Sequence, residues 1–311
     1  MSGFPDLRDF VLRCGGELVN GGREARLPGP GHSKRDRSLS LRLSDDGRVI
    51  FHDFTGGHSF LEIKSYLGLA DADDYTPNRS ERDAERCRHE AEKARLEVEK
   101  LDFCASVWAD AQSAAGTVVE QYLATRGLAL ECTDVRFHAA APRAVPWNRM
   151  ADDPAPPAPH PAMVCLARDE RRGGRGLHIT FLSPKGLKAF GHRSRIMVGP
   201  MLGAALQTAP IRRDGVLGIA EGMETAGAFS ILHGVPTWAA FSTSGIRGFK
   251  VPHGVKKLII AADHDENGAG QKAADDLAER ARSRCDVEIY LPKRVGDWND
   301  VLLQRGGGDV Q

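Results

Sequence analysis

Three acidic side chains stand at the ends of two apolar runs in the last third of the chain. Glu221 directly follows the run VLGIA, and Asp263 and Asp265 follow the run LIIAA. If both runs are parallel strands, their carboxyl ends meet at one edge of a sheet, where open α/β sheets bind ligands. Converging carboxylates repel each other, and their pKa values rise unless a cation neutralises them. The pattern therefore predicts a site for Mg²⁺, or alternatively Mn²⁺, that supports chemistry on phosphate groups.

Two glycines after the aspartates fit this interpretation. Gly268 and Gly270 allow a tight turn into the next predicted helix, whose N-terminus favours a phosphate nearby. A D-x-D pair alone could equally be a solvated turn in which the aspartates cap a helix. Glu221, within the segment EGMETA, favours the metal site over that alternative. Glu224, on the following helix, is expected to be a supporting or solvent-facing group.

The elements that must position these acids are the clearest part of the sequence. Strands are predicted at VLGIA, PTWAAF, KKLIIAAD and VEIYLP, and helices at METAGAFSILHG and AGQKAADDLAERARSR. Alternating strands and helices, with strands that are apolar throughout, are typical of a parallel sheet covered on both faces. The sequence therefore predicts an α/β fold, similar to a Rossmann sheet, for residues 211–311.

The rest of the chain divides by composition into three regions. Residues 1–75 are predicted to form a small β-rich domain, with a hairpin around Asp45-Asp46-Gly47 and a helix ending at Gly68. Residues 76–112 are predicted to be a charged helical linker, and the lack of an apolar heptad argues against a coiled coil that binds a partner. Residues 113–210 are predicted to be an α+β region, with a loop at DDPAPPAPHP and strands at GLHITFLSP and GLKAF.

The acidic segments resemble a known family. IAEGMETA followed by LIIAADHDENGAGQKAA is similar to the Toprim domain, the catalytic module shared by bacterial primases, topoisomerases and some nucleases. The resemblance implies that Glu221, Asp263 and Asp265 are catalytic acids that hold the metal. GDWNDVL resembles the end of Toprim domains in plasmid- and phage-type primases. That likeness implies Asp297 or Asp300 as a fourth acid, and Asp300 is predicted as the additional metal ligand.

The resemblance extends towards the N-terminus. GHSKRDRSLSLRL with FLEIKSYLGL, then QYLATRGL and GLHITFLSPKGLKA, follow each other as in primases of mobile elements. Such primases usually begin with a zinc ribbon, whose cysteine ligands are replaced here by Gly- and His-containing turns. We therefore expect a degenerate ribbon that is held together by its hydrophobic packing. His32, His52, His58 and Asp53 could in principle hold zinc, but without thiolates zinc is not expected.

Two basic stretches are candidates for phosphate contacts, because Lys and Arg clustered on one face bind nucleic-acid backbones. The first contains Lys34, Arg35 and Arg37. The second, residues 168–195, has eight Lys or Arg residues against two acids, and its predicted contacts are Lys185, Lys188, Arg193 and Arg195. A solvated basic surface is the alternative. Aromatic residues make up only 6% of the chain, so no base-stacking platform is evident.

Bulk properties restrict the class of protein. The formal net charge is zero, so affinity for a polyanion must come from local charge asymmetry. The six cysteines form no C-x-x-C pair, which argues against a zinc ribbon or a thioredoxin-type redox motif. Asp6 and Asp9 stand where a signal peptide would be apolar, and no apolar run approaches the ~18 residues of a membrane helix. We therefore expect a cytoplasmic protein with no membrane partner.

Together with the resemblance, these features predict a DNA primase-like nucleotidyl transferase that makes short primers on single-stranded DNA from nucleoside triphosphates. The resemblance implies that it acts in the replication of a mobile element. Glu221 would be a metal ligand or general base, and the metal would stabilise charge on the transferred phosphoryl group. The sequence has no G-x-x-x-x-G-K-[ST] loop, so a separate helicase or replication protein is expected as partner. Two alternatives remain: a Toprim nuclease, and a non-catalytic accessory DNA-binding protein. A topoisomerase would need a nucleophilic tyrosine in a gate domain, and the four tyrosines lie in no such context.

Overall fold

The computed structural model describes residues 7–20, 24–43, 49–55, 57–68, 79–129, 132–148 and 155–306. Contacts divide the chain into two units, residues 1–93 with 144–157 and residues 94–143 with 158–311. One long helix, α3 (Arg79–Ala109), contains the boundary between the two units, which falls after residue 93. The four regions expected from composition stay a prediction. None of the helices in the described ranges combines the length and the apolarity needed to cross a membrane.

The first unit contains a four-stranded antiparallel sheet in the order β1-β2-β3-β4. Its elements are α1 (Leu7–Arg13), β1 (Glu17–Val19), β2 (Glu24–Leu27), β3 (Leu39–Leu43), β4 (Val49–Asp53) and α2 (Phe60–Tyr66). The hairpin of β3 and β4 was predicted, although its turn, residues 44–48, lies outside the described residues. Alternate residues of β2 and β3 form the core of this unit with the helices, because strand side chains point to opposite faces in turn.

The second unit begins with a five-stranded antiparallel sheet in the order β5-β6-β7-β8-β9. Its elements are β5 (Gln112–Ser113), α4 (Val118–Thr125), β6 (Val135–Ala141), β7 (His160–Arg168), β8 (Gly174–Phe181) and β9 (Arg195–Val198). The prediction of a strand at GLKAF is wrong, since only an isolated bridge joins Leu182 to Lys188. Gly186 and Phe190 both have positive φ, so the chain turns sharply at each and cannot continue as a strand.

The second unit also contains a four-stranded sheet in the order β11-β10-β12-β13, and all of its pairings are parallel. Its elements are β10 (Val216–Ala220), α5 (Met223–His233), β11 (Thr237–Ala239), α6 (Thr243–Gly248), β12 (Lys257–Ala261), α7 (Ala269–Ala281), β13 (Asp286–Tyr290) and α8 (Trp298–Gly306). The predicted α/β fold with a parallel sheet is thus confirmed. The short helix α6 was not predicted, because its six residues, TSGIRG, have no apolar period of their own.

Both faces of the central strands β10 and β12 are buried, which explains why these two strands are almost entirely apolar. Leu217 and Ile219 of β10 face one core cluster, together with α6 and α7. Val216 and Ala220, on the opposite face, belong to a second cluster that also contains residues of α4, β6 and β7. The antiparallel and the parallel sheet therefore share one hydrophobic core.

Candidate metal and catalytic site

The parallel pairing of β10 and β12 brings the predicted acids to one edge. Ala220 lies opposite Ala261 in the register, so Glu221 and Asp263 leave neighbouring strands at the same end of the sheet. Beyond β12, the N–H of His264 donates to the carbonyl of Gly296 at 3.0 Å, and the N–H of Gly296 donates back at 3.1 Å. This pairing brings Asp297 alongside Asp263.

Glu221, Asp263, Asp265 and Asp297 are here called the acidic cluster, because the charges of the other three carboxylates act on Asp263. Burial, followed by the charges of Asp297, Glu221 and Asp265, raises the pKa of Asp263 to about 7. The pKa of Glu221 is also raised, first by burial and then by Asp265. Burial likewise raises the pKa of Asp297. The repulsion expected from the sequence is therefore present.

The donors of the acidic cluster fit a divalent cation that is only partly held by protein. Among the described residues, no group of three or more His, Cys, Asp or Glu side chains is arranged to hold a metal ion on its own. Mg²⁺ usually binds through one or two carboxylates and completes its octahedron with substrate phosphates and waters. An all-oxygen, mutually repelling set of this kind suits Mg²⁺ or Mn²⁺ better than a softer metal.

The loop after β12 is fixed by hydrogen bonds and by a glycine. Asp265 Oδ2 accepts the N–H of Gly270 at 2.9 Å, and Thr225 Oγ1 donates to Asp263 Oδ1 at 3.3 Å. A Cβ at Gly270 would lie 2.7 Å from the carbonyl oxygen of Asp263 and 2.9 Å from Asp265 Oδ2. Only glycine lets α7 begin this close to both aspartates, and Gly268, with φ +67°, makes the turn that precedes it.

Asp300 takes part in a helix cap next to the acidic cluster. Its N–H donates to Asp297 Oδ1 at 2.9 Å, while its own Oδ2 accepts the N–H of Asp297 at 3.2 Å. These reciprocal bonds satisfy two amide groups at the start of α8. Of the two aspartates considered from the sequence, Asp297 is the one whose charge acts on Asp263.

Glu224 is a buried supporting group. Its carboxylate is 14% exposed, lies 2.7 Å from Lys188 Nζ and accepts a short hydrogen bond from the hydroxyl of Tyr122. Burial alone would raise its pKa, but the charge and hydrogen bond of Lys188, with the bond from Tyr122, lower the pKa to about 2. Lys188, predicted from the sequence to contact nucleic acid, therefore has its charge compensated inside the protein.

The basic stretch 168–195 separates into paired and unpaired residues. Arg168 binds Asp134 through two bonds, of 2.6 and 2.7 Å, and Arg175 pairs with Glu97. Within the described part of the chain, no carboxylate lies within ion-pair distance of the exposed residues Lys185, Arg193 and Arg195. Arg195 is close enough to Glu221 to oppose the rise in the pKa of that carboxyl, as Arg247 does.

The first basic stretch and the three histidines considered as zinc ligands, His32, His52 and His58, belong to the first unit. Lys34 and Arg35 are exposed, whereas Arg37 Nε lies 3.3 Å from Glu17. His52 is exposed and packs its ring edge-on to Phe54. Each of the other two histidine rings contacts an aspartate through Nδ1, His32 with Asp36 at 3.0 Å and His58 with Asp53 at 2.9 Å.

Sequence reasoning missed two buried groups behind the site. Tyr122 lies in the segment QYLATRGL, but no local pattern shows that its hydroxyl meets Glu224, 102 residues away. His178 of β8 stacks on Phe241, with ring centroids 4.6 Å apart and planes at 9°. Burial lowers the pKa of His178 to about 4, so it is neutral. Phe241 has φ +67°, and its N–H donates to the carbonyl of Glu221 at 2.7 Å.

Comparison with known proteins places two segments in families. Residues 216–308 match the family model of the Toprim domain. Residues 99–208 match the model described as "Domain of unknown function (DUF7146)".

Solved primase structures resemble the chain at low sequence identity. It is similar to the primase fragment of the bacteriophage T7 primase-helicase protein, at 14% identity over 65% of this chain and 71% of that one, with a TM-score of 0.39. The zinc-binding and RNA polymerase domains of the Aquifex aeolicus primase match at 14% identity over 98% of this chain and 81% of that one, with a TM-score of 0.39. The DnaG primase catalytic domain bound to ssDNA matches at 14% identity over 68% of this chain and 77% of that one, with a TM-score of 0.45.

Likeness at this level does not define an activity. The family match, in contrast, covers the whole parallel sheet and every member of the acidic cluster. Residues 216–308 of this chain therefore form a Toprim domain.

Proposed function

We propose that this chain is a metal-dependent, primase-like nucleotidyl transferase that synthesises short primers on single-stranded DNA from nucleoside triphosphates. The observation that carries the proposal is the acidic cluster at the carboxyl edge of a Toprim sheet, where burial and mutual repulsion raise the pKa of Asp263 to about 7. A cation relieves this repulsion, and a phosphate-bearing substrate completes the coordination of that cation.

The residues of the acidic cluster would have two roles, cation binding and proton transfer. Carboxylates from among Glu221, Asp263, Asp265 and Asp297 would hold the cation, together with substrate phosphates and waters. When bound, the cation supplies charge neutralisation at the phosphoryl oxygens and lowers the pKa of an attacking hydroxyl. If Glu221 does not bind the cation, its carboxylate would instead accept the proton of that hydroxyl.

Basic residues near the cluster would orient the polyanionic substrates. Arg195 acts on the charge of Glu221 and has no carboxylate partner among the described residues, so its guanidinium is free to bind a phosphate. Lys185 and Arg193, exposed in the same turn, would add contacts to the template backbone. A helicase or replication protein as partner and a mobile-element origin are further proposals, and both depend on the motif resemblance alone.

A primer-synthesis assay with single-stranded template, Mg²⁺ and labelled ribonucleotides tests the proposal. The wild-type protein should make short labelled oligomers. Glu221→Gln, Asp263→Asn and Asp265→Asn should each lower the rate by at least about 100-fold, since preorganised charge at a phosphoryl group has effects of this size. Asp297→Asn should reduce the rate more than Asp300→Asn, because Asp297 acts on Asp263. Asp275→Asn, an exposed position on α7, is the matched control.

Three outcomes discriminate between the functions. Oligomers that disappear with the acidic-cluster variants support the primase. Degradation of the template, with the same dependence on the acids, would replace it by a nuclease. Binding of DNA without either product, in both Mg²⁺ and Mn²⁺, would leave an accessory DNA-binding role.

A further inference from the structure

One end of the antiparallel sheet carries an exposed aromatic ring within a small cluster. Phe190, in the turn between β8 and β9, is 40% exposed. The guanidinium carbon of Arg143 lies 3.7 Å from the centroid of its ring, and the ring of His160 packs edge-on at 4.7 Å. Phe190, Arg143 and His160 are here called the Phe190 platform.

The backbone holds Phe190 in a conformation that phenylalanine rarely adopts. Its φ is +62° and its ψ is +18°, in the left-handed region where Cβ crowds the following carbonyl. Hydrogen bonds on both sides over-determine this geometry, from Ala189 N–H to the carbonyl of Phe181 at 2.9 Å and from Arg193 N–H to the carbonyl of Phe190 at 3.0 Å. Strained residues of this kind concentrate at ligand-binding sites.

The surroundings of the platform are positively charged. No carboxylate in the described ranges pairs with Arg143, Lys185, Arg193 or Arg195. In contrast, the other basic residue of the turn, Lys188, is compensated by Glu224. An exposed ring amid uncompensated cations matches a ligand with flat faces and negative charges, and an unpaired nucleotide has both.

The same turn leads to the acidic cluster. Lys188, two residues before Phe190, is joined to Glu224 in the first turn of α5, three residues after Glu221. Arg195 begins β9, where the turn ends, and its charge acts on Glu221. A single strand of nucleic acid that lies on the Phe190 platform can therefore continue past Arg195 towards the acidic cluster.

We propose that the Phe190 platform is a base-stacking subsite for single-stranded nucleic acid, in which an unpaired base stacks on the exposed part of the Phe190 ring while Arg143, Arg193 and Arg195 bind the neighbouring phosphates. The proposal deepens the primase function, since it gives the template a fixed position next to the acidic cluster. It also revises the expectation that the chain, with few aromatic residues, has no stacking surface.

Fluorescence anisotropy with a labelled oligothymidylate, and with the same strand carrying abasic sites, tests the proposal. Phe190→Leu keeps an apolar side chain against Arg143 but removes the ring, and should weaken binding of the intact strand roughly 5- to 100-fold. Phe190→Trp should bind within about threefold of the wild type, because it keeps a stacking face. Leu202→Ala, at a side chain that is 75% exposed, is the control for loss of a surface apolar group.

The abasic strand separates stacking from phosphate binding. Removing bases should weaken binding to the wild type about as much as Phe190→Leu does, and should have little further effect on that variant. Equal binding of intact and abasic strands by the wild type would overturn the proposal, as would fully additive effects of the two changes. Melting temperatures of the variants, measured in parallel, exclude a folding defect as the cause.

Failure of the subsite and failure of the primase function give different results. Asp263→Asn should abolish primer synthesis and still show the coupling between Phe190 and the bases. Coupling without primers from the wild type would refute the function and retain the subsite. Primer synthesis by the wild type without this coupling would support the function and refute the subsite.

Discussion

The ammonium of Lys188 lies 2.7 Å from the carboxylate of Glu224, and this contact joins the turn after β8 to the first turn of α5. Glu224 is 14% exposed and Lys188 28%, so water screens the pair only in part. These residues are 36 positions apart in the sequence, and the first lies between two strands of the antiparallel sheet whereas the second lies in the helix that follows β10 of the parallel sheet. The pair is therefore a tertiary link between the turn after β8 and the Toprim domain.

Removing one partner should destabilise the protein more than removing both. We expect Glu224→Gln and Lys188→Met each to lower the free energy of unfolding by about 3 kcal/mol at neutral pH, because each leaves a poorly solvated group unpaired. The double variant should regain part of this loss. Urea unfolding of the four proteins measures the coupling. Strictly additive losses would mean that the pair contributes nothing.

The contribution of the Lys188–Glu224 pair to the free energy of unfolding should be lost at acid pH. The pKa of Glu224 falls from its ordinary value of 4.5 to about 2, so its contribution is complete above pH 4.5 and is lost as the pH falls towards 2. The difference in unfolding free energy between the wild type and Glu224→Gln should therefore shrink below about pH 4.5. Unfolding curves at pH 7 and pH 3.5 test this. A constant difference would contradict it.

Magnesium should stabilise the protein more at neutral than at acid pH. The pKa of Asp263 rises from 3.8 to about 7, so between these values the folded protein without metal binds more protons than the unfolded chain. Its stability should therefore fall as the pH rises through this range, and Mg²⁺, which competes with the proton, should reverse that fall. Melting temperatures at pH 5 and pH 7.5, with and without Mg²⁺, measure the effect, with Asp263→Asn as control. An equal shift at both pH values would contradict the prediction.

Gly270→Ala adds a single methyl group but should disturb both the loop after β12 and the binding of Mg²⁺. The added Cβ would meet the carbonyl of Asp263 at 2.7 Å and the carboxylate of Asp265 at 2.9 Å. We expect a loss of about 1–3 kcal/mol in stability, together with a displaced D-x-D loop and a lower Mg²⁺ affinity. Gly174→Ala is a matched control, since a Cβ there meets only the side chain of Leu166, at 3.4 Å or more. Unchanged Mg²⁺ binding by Gly270→Ala, measured by calorimetry, would contradict the expected geometry.

Glycine should be better tolerated than alanine at position 190. Phe190 has φ +62°, which glycine adopts freely and alanine does not. We therefore expect Phe190→Gly to be more stable than Phe190→Ala by about 0.5–1 kcal/mol. At Leu187, an exposed neighbour without positive φ, the order should be reversed. Thermal unfolding of the two pairs of variants tests this, and alanine more stable at both positions would argue against strain.

Two exposed lysines in different parts of the second unit should respond differently to mutation. Lys185→Ala should lower the dependence of DNA binding on salt by about 0.7 in the slope of log K against log salt, as expected for one phosphate contact on a single strand. Lys256→Ala, exposed before the amino end of β12 and hence at the opposite edge of the parallel sheet, is the control. Titrations at three or more salt concentrations provide the slopes. Identical slopes for all three proteins would remove Lys185 from the binding surface.

The sequence predicted the Toprim part well because each of its signals is local. Apolar runs of five residues mark β10 and β12, and the acids follow them directly, so strand direction alone brings Glu221 and Asp263 to one edge. Asp297 was only one of two alternatives, because its approach to Asp263 depends on the bridge between His264 and Gly296. No local pattern encodes that bridge.

Features that the sequence did not show arise where tertiary contacts override local preference. GLKAF has the apolar alternation of a strand, but Phe190 sits in the left-handed region and the chain turns there instead. Lys188 belonged by composition to a basic surface, and only the fold brings the carboxylate of Glu224 to it. A low aromatic content likewise gives no indication of where the exposed ring of Phe190 lies.

The shared hydrophobic core has a consequence for dissecting this protein. Val119, Tyr122 and Met163 are packed in one cluster with Ala220, Met223 and Phe229. A fragment beginning at residue 211 would keep all residues that match the Toprim family and every member of the acidic cluster, yet it would expose its half of the shared hydrophobic core to water. Such a fragment should aggregate or bind hydrophobic dyes, and its inactivity would say nothing about the chemistry of the intact chain.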